Sequence, residues 1–360
     1  MIFTGDIAVP TAFHSEQLNS VFLRHANIFA GQDLICNLEG LITDKINTNY
    51  KTPVLYNHSS VTEVLKDWRF RIAALANNHT LDLPEYFNSS VDSLLSAGIE
   101  PVGAGRSKEM ADRPAIISIG NRKTIVFNHC WHVMLQHQNN PGKGVYVSTI
   151  NADKILKAVA DCRSLHPDAN IVVYMHWSFD LELLPFPLYR QLSRTLIDSG
   201  ANVVVGCHSH CPQGAEAYKD GYIVYGLGNF FVPWYTFING SIHFPEFARV
   251  QTVFDWNPEN NKARLHWFRY LNKGRDHTLE HLATEDFGQG SFFRQYSPFS
   301  GMDDKTYLEY FRKNRRKKGG IPVYRDYKAV WENRMIDTII IGRIRLARFM
   351  AKYKLREWNN

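Results

Sequence analysis

Apolar positions along the chain fall into short runs separated by amphipathic stretches. Ile171–Tyr174 and Val203–Val205 are apolar on successive residues and rich in β-branched side chains, the pattern of strands buried on both faces. Between such runs the period changes. "SVTEVLKDW", "YFNSSVDSLLSAG", "NADKILKAVADC" and "PLYRQLSRTLIDSG" repeat their apolar residues at helical spacing, and Gly98 and Gly200 stand where a helix C-cap belongs. Strands alternating with helices predict an α/β fold. Over residues 250–270 two alternating runs flank the turn-rich "NPENN", which predicts a β-hairpin closing the main domain. Residues 301–360 read as helical, broken at "KNRRKKGGIP" by Gly319, Gly320 and Pro322. The expected organisation is a catalytic domain over 1–270 and a basic, mainly helical extension over 271–360, with no internal repeat.

The strand-like runs end in residues that can do chemistry. "MIFTGD" ends at Asp6, "DLICNLEG" leads to Glu39 and "FRIAALANNH" to Asn78 and His79. "NIVVYMHWS" carries His176, "NVVVGCHSH" carries His208 and His210, and "GYIVYGLGNF" reaches Asn229. In a sheet with parallel strands these ends gather on one edge, where ligands bind. Carboxylate, amide oxygen and imidazole together suit divalent zinc, manganese or iron. The set is too large for one tetrahedral ion and suits two, with Asp6 or Glu39 as a bridging carboxylate. In a strand residues i and i+2 point to the same side, so His208 and His210 can both face the site while Ser209 points away.

Composition narrows the class without naming a reaction. The chain has 360 residues, 44% hydrophobic and 21% charged, a globular balance. No apolar run reaches the roughly 18 residues needed to span a bilayer. The first residues show no basic segment followed by an apolar one, so no secretory signal is expected. Five scattered cysteines then read as reduced thiols, and the cytoplasm is the expected compartment. Residues 301–360 hold 16 Lys and Arg against 7 Asp and Glu, so the +6 of the whole chain comes from the tail. The rest is near neutral, which argues against a nucleic-acid binder.

In order, "GD", "NLEG", "LANNHTLD", "MHWS" and "GCHSHCPQGAEAYKDGYIVYGLGNF" resemble the motifs of the bacterial capsule synthesis family (CapA, or poly-γ-glutamate synthesis type), a branch of the calcineurin-like metallophosphoesterases. The resemblance covers roughly residues 1–255. It implies a four-layer α/β/β/α sandwich holding two divalent metal ions (Mn, Zn or Fe). By that resemblance Asp6, Glu39, Asn78, His176, His208 and His210 are metal ligands, and Glu39 takes the bridging position. His79 is the non-ligand histidine that protonates the leaving oxygen, oriented by Asp82. Four positions depart from the family pattern: Ala8 replaces a histidine common in the superfamily, "HWSFD" stands for "HWGxE" (Ser178 and Asp180), and Cys207 replaces His or Ser.

Other readings compete for the same letters. Cys207 and Cys211 with His208 and His210 suggest a structural zinc, but adjacent strand residues face opposite ways and no second ligand pair is present. His129 and His132 in "FNHCWHVMLQHQ" are either pocket wall or loop. Trp234 and Tyr235 are either an aromatic lip for substrate or core. The tail "MIDTIIIGRIRLARFMAKYKLREW" carries an apolar stripe from Ile336 to Tyr353 with basic residues beside it. Residues 336–356 therefore either meet a partner or the inner face of a membrane, or pack on the domain. The expected function is a dinuclear phosphoesterase acting on a capsule or cell-surface polymer precursor. The alternatives are a hydrolase or transferase of poly-γ-glutamyl amides and a non-catalytic assembly factor.

Overall fold

In the computed structural model the described residues are 1–45, 54–137, 144–237, 242–316 and 320–352, without the side chains of Arg348, Ala351 and Lys352. Gln138, Lys317, Lys318, Gly319, Tyr353 and the rest of the expected 336–356 face lie outside them.

Two sheets form the centre. In the first, Asp276–Asp286, Lys262–Lys273, Val250–Asn257, Ile2–Ile7, Leu34–Leu38, Phe70–Ala74 and Glu100–Val102 lie side by side, and Asn229–Phe231 pairs with the end of Ile2–Ile7. In the second the order is Ala215–Tyr218, Gly221–Val224, Val203–Cys207, Asn170–His176, Arg122–Cys130 and Ala115–Ile119. Strand neighbours divide their side chains between two cores, as period-two geometry requires. Phe3, Ile35, Ile72, Val126, Val172, Tyr174, Val203 and Val205 fill the space between the sheets. Ile2, Leu34, Cys36 and Phe70 face outward onto Leu18 and Phe22 of helix Ala12–Arg24 and Leu65 of Val61–Asp67. Ile171, Val173 and Val204 face the other way, onto Val159 of Ala152–Leu165 and Leu192 and Leu196 of Pro187–Asp198. The fold is thus an α/β/β/α sandwich. The Tyr174 hydroxyl ties its two sheets together by donating to Thr4 O at 2.6 Å.

All four expected helices form, and Asn151 caps one by accepting from Lys154 N–H. Gly98 and Gly200 adopt φ of +75° and +112° just past their helices. Helix Ala12–Arg24 was not expected; Thr11 caps it by accepting from His14 N–H. The 250–270 hairpin forms but is not the end of the sheet. Residue 270 falls inside Lys262–Lys273, whose second edge pairs with Asp276–Asp286. The tail is helical over Asp304–Asn314 and Val330–Lys352, and no helix among the described residues is long and apolar enough to cross a membrane.

The glycine of the first motif has a steric reason. A Cβ on Gly5 would stand 1.8 Å from Gly228 O, across the contact between Ile2–Ile7 and Asn229–Phe231. Gly5→Ala must push these strands apart, an overpacking that costs about 1–3 kcal/mol. Urea unfolding should show a midpoint lowered accordingly; an unchanged midpoint would contradict the close approach.

Candidate metal centre

The carboxyl ends of the two sheets meet at one line. The first sheet contributes Asp6, Glu39 just after Leu34–Leu38, and Asn78 and His79 after Phe70–Ala74. The second contributes His176 at the end of its strand, and His208 and His210 just beyond Val203–Cys207. Asp6, Glu39 and His176 are fully buried and His208 is 1% exposed.

Two groups of ligand atoms converge. One atom each from Asp6, Glu39 and His176 lies within 4.8 Å of the others, and the same holds for Glu39, His208 and His210. Glu39 belongs to both. Asn78 joins the first group, with Oδ1 2.7 Å from His176 Nε2. The His176 and His208 rings are 4.6 Å apart. Both Glu39 carboxylate oxygens and His208 Nδ1 are buried without a hydrogen-bond partner, and Asp6 Oδ2 has only the His210 ring, at 3.4 Å. Buried acceptors left unsatisfied are costly and uncommon. Divalent cations would satisfy them all, so the donor set fits the expected ions.

The electrostatics agree with a site short of positive charge. Burial, and then the Asp6 carboxylate, hold the Glu39 carboxyl well above the ordinary range. Burial alone would lower His210, but its Nδ1–H facing the accepting Asp6 carboxylate at 3.4 Å, with the Glu39 and Asp6 charges, raises it overall. His176 is pushed well down by burial and then by the His208 and His210 rings. His79 lies beside both groups, with Nδ1 2.7 Å from Asp82 Oδ2, which also accepts from Leu55 N–H at 3.0 Å. Burial opposes its protonation, but the Asp82 and Glu39 carboxylates more than reverse this and its pKa rises.

The route by which His208 and His210 reach the site differs from the expected one. The strand stops at Cys207, and the two histidines sit in a turn with φ of +90° and +54°. Left-handed backbone at two non-glycine residues is strain of the kind found at functional sites. Ser178, standing for the family glycine, is similarly held at φ +80°. The cysteines are not neighbours of a shared ion. Cys207 packs between the sheets beside the Tyr174 hydroxyl, and Cys211 packs in the first outer core.

Three polar residues belong to the site although their motifs gave them no role. Asn37 donates from Nδ2 to Asp6 Oδ1 at 2.8 Å and lies 3.3 Å from His176 Nδ1. Asn229 Oδ1 lies 2.8 Å from His210 Nδ1. Asp180 Oδ1 lies 3.0 Å from His208 Nε2. Asn37 and Asn229 both stand level with Asp6 in the paired strands. Their sequence signal was position at the end of an apolar run, which both share with the ligands. His129 and His132 fall in neither group: His129 bonds Ser148 and His132 pairs with Asp337 of the C-terminal helix. Trp234 is core, stacked on Tyr270, whereas Tyr235 is 55% exposed. Phe244 closes the rim, 4.9 Å from the His210 ring.

The extension reaches this rim. Arg316 N–H donates to the buried Glu182 carboxylate at 3.0 Å, two residues from Asp180, and its guanidinium lies 4.6 Å over Phe247.

The family profile described as bacterial capsule synthesis protein PGA_cap matches residues 1–233. The chain is 28% identical over 242 residues to the PGA biosynthesis protein CapA of Bacillus subtilis (strain 168), covering 63% of this chain and 62% of that one. It is 26% identical over 211 residues to the capsule biosynthesis protein CapA of Bacillus anthracis, covering 52% and 50%. The matches thus span half to three-fifths of these relatives' length. Among solved structures, a hypothetical protein from Thermus thermophilus aligns with a TM-score of 0.40 and 13% identity over 79% of this chain and 97% of that one. With well over half of its length matched by the profile, the chain belongs to the bacterial capsule synthesis protein (PGA_cap) family.

Proposed function

We propose that this protein is a dinuclear metal-dependent hydrolase cleaving a phosphoester in the synthesis of a capsule or other cell-surface polymer. The observation that carries the reading is Glu39. Its two buried, unpartnered oxygens lie at the junction of two ligand groups, as a carboxylate bridging two ions would. Asp6, Asn78 and His176 would hold one ion and His208 and His210 the other. Two such ions supply Lewis acidity and an activated water for attack at phosphorus.

The chain's own residues do the rest. Asn37 fixes the Asp6 carboxylate, and Asn229 orients the His210 ring. Asp82 holds the His79 Nδ1 proton and stabilises the imidazolium, which leaves Nε2 to deliver a proton to the departing oxygen. Asp180 against His208 would restrain that ring and add negative charge at one side of the centre.

A second reading keeps the site and changes the bond: hydrolysis or transfer at a γ-glutamyl amide. It is favoured by the relative described as a PGA biosynthesis protein. A panel of bis(p-nitrophenyl) phosphate, p-nitrophenyl phosphate and γ-glutamyl-p-nitroanilide separates the two, and the phosphoesterase reading expects turnover of a phosphoester.

Two outcomes follow from the geometry. Added Mn²⁺ or Zn²⁺ at about 100 times its dissociation constant should stabilise the metal-free protein by about 2.7 kcal/mol per site. Glu39→Gln should lose most of that gain in thermal unfolding, while its own metal-free stability does not fall, because a buried charge has been removed. Equal stabilisation of both proteins would remove Glu39 from the centre. His79→Ala should lower kcat by about 100- to 10,000-fold with bound metal unchanged by elemental analysis. Full turnover in that variant would exclude His79 as the acid.

A further inference from the structure

We propose that the outward face of the C-terminal helix, Val330–Lys352, is a docking surface for an anionic lipid bilayer. The helix has two apolar faces. Ile336 and Ile340, each 4% exposed, pack into the second outer core with Ile341 and Ile344 partly buried beside them. Asp337 fixes that face, accepting from the Tyr324 hydroxyl at 2.6 Å and lying 3.2 Å from His132 Nε2. The orientation of the helix is therefore set by the domain.

The opposite face carries exposed apolar side chains. Trp331 (79% exposed), Met335 (63%), Ile339 (45%), Leu346 (57%) and Phe349 (53%) follow one another at spacings of four, four, seven and three residues. Such spacings align them on one side of a helix. Exposed Arg334 and Arg345 border this stripe on one flank and exposed Arg343 on the other. Among the described residues the helix has only two acidic side chains, Asp337 on the buried face and Glu332, which is held by Arg325 at 2.8 Å. The Arg334 guanidinium lies 5.6 Å over the Trp331 ring.

Charge chooses the occupant. A second copy of this face would set arginines against arginines, in a chain already at +6. An acidic lipid surface accepts the apolar stripe among its acyl chains and the arginines among its headgroups, with the indole at the boundary between them. The helix lies on such a surface and does not cross it. Docking would also fix the catalytic edge: Tyr324, bound to Asp337, packs 5.7 Å from Trp131, and Trp131 packs 5.4 Å from Phe179, the residue before Asp180. The centre would then work beside the bilayer, where a lipid-linked or membrane-extruded substrate is met.

The test is co-sedimentation of the full chain with vesicles of phosphatidylcholine alone and with 30% phosphatidylglycerol (about one lipid in three, a common anionic test mixture). The wild type should bind the anionic vesicles at least about tenfold more tightly, and less as salt is raised. Trp331→Ser/Leu346→Ser, both at exposed positions, should abolish binding with an unchanged circular-dichroism melt. Arg334→Glu/Arg345→Glu leaves the apolar stripe intact and should also lose binding, so a misfolded first variant would not leave the question open. Failure of the wild type to bind, or equal binding by all three proteins, overturns the proposal. So does a concentration-dependent dimer abolished by Trp331→Ser/Leu346→Ser without lipid binding, which would make the face a protein interface.

Discussion

Burial of the Glu39 carboxylate, with neither oxygen hydrogen-bonded, is the constraint on which the surrounding structure depends. Removing a carboxylate from water costs several kcal/mol unless charge or donors replace the solvent. The chain invests in holding it there. Asn57 donates to Glu39 O at 2.9 Å and Gly40 O at 3.0 Å while accepting from Val9 N–H at 2.8 Å. Gly40 adopts φ +81°, and a Cβ there would stand 2.3 Å from Leu55 O. The "NLEG" motif is therefore a packing requirement as well as a chemical one. Its glycine lets the strand end turn tightly, and the turn presents Glu39 between the sheets. Asp6 is fixed beside it by Asn37, so two carboxylates share one buried site and raise the cost of charging Glu39. Cations in that space would turn the repulsion into attraction.

Much of this was legible in the sequence because the fold speaks through periodicity. Strands buried on both faces read as unbroken apolar runs, and their last residues had to gather at one edge. That is how Asp6, Glu39, Asn78, His176, His208 and His210 could be grouped from positions spread over two hundred residues. What stayed hidden was set by pairing across the sheet. Both Asn37 and Asn229 end apolar runs, but their roles come from standing level with Asp6, and register between strands leaves no local mark. The turn that carries His208 and His210 was hidden too, since the run "NVVVGC" leads straight into it and the left-handed backbone is imposed by its surroundings. Strand Asp276–Asp286 has only two buried residues, His277 and Leu279, so its alternation is faint.

The extension is tied to the centre by contacts that neither motif nor composition announced. Arg316 satisfies Glu182 and covers Phe247, so one residue touches the loop bearing Asp180 and the loop bearing Phe244. Asp337 and Tyr324 add a second junction through Trp131 and Phe179. The basic tail is in this sense part of the wall behind the site. Its buried isoleucines explain why one face is apolar; the exposed stripe on the other face is a separate property of the same helix.

The central claim is that two ions share one carboxylate, and magnetic coupling reads this most directly. Protein stripped of metal and titrated with Mn²⁺ should bind two ions per chain, and its electron paramagnetic resonance should change from an isolated Mn²⁺ signal to that of a spin-coupled pair. In Glu39→Gln the coupled signal should be absent. A stoichiometry of one or none, or two ions without coupling, would contradict the shared carboxylate.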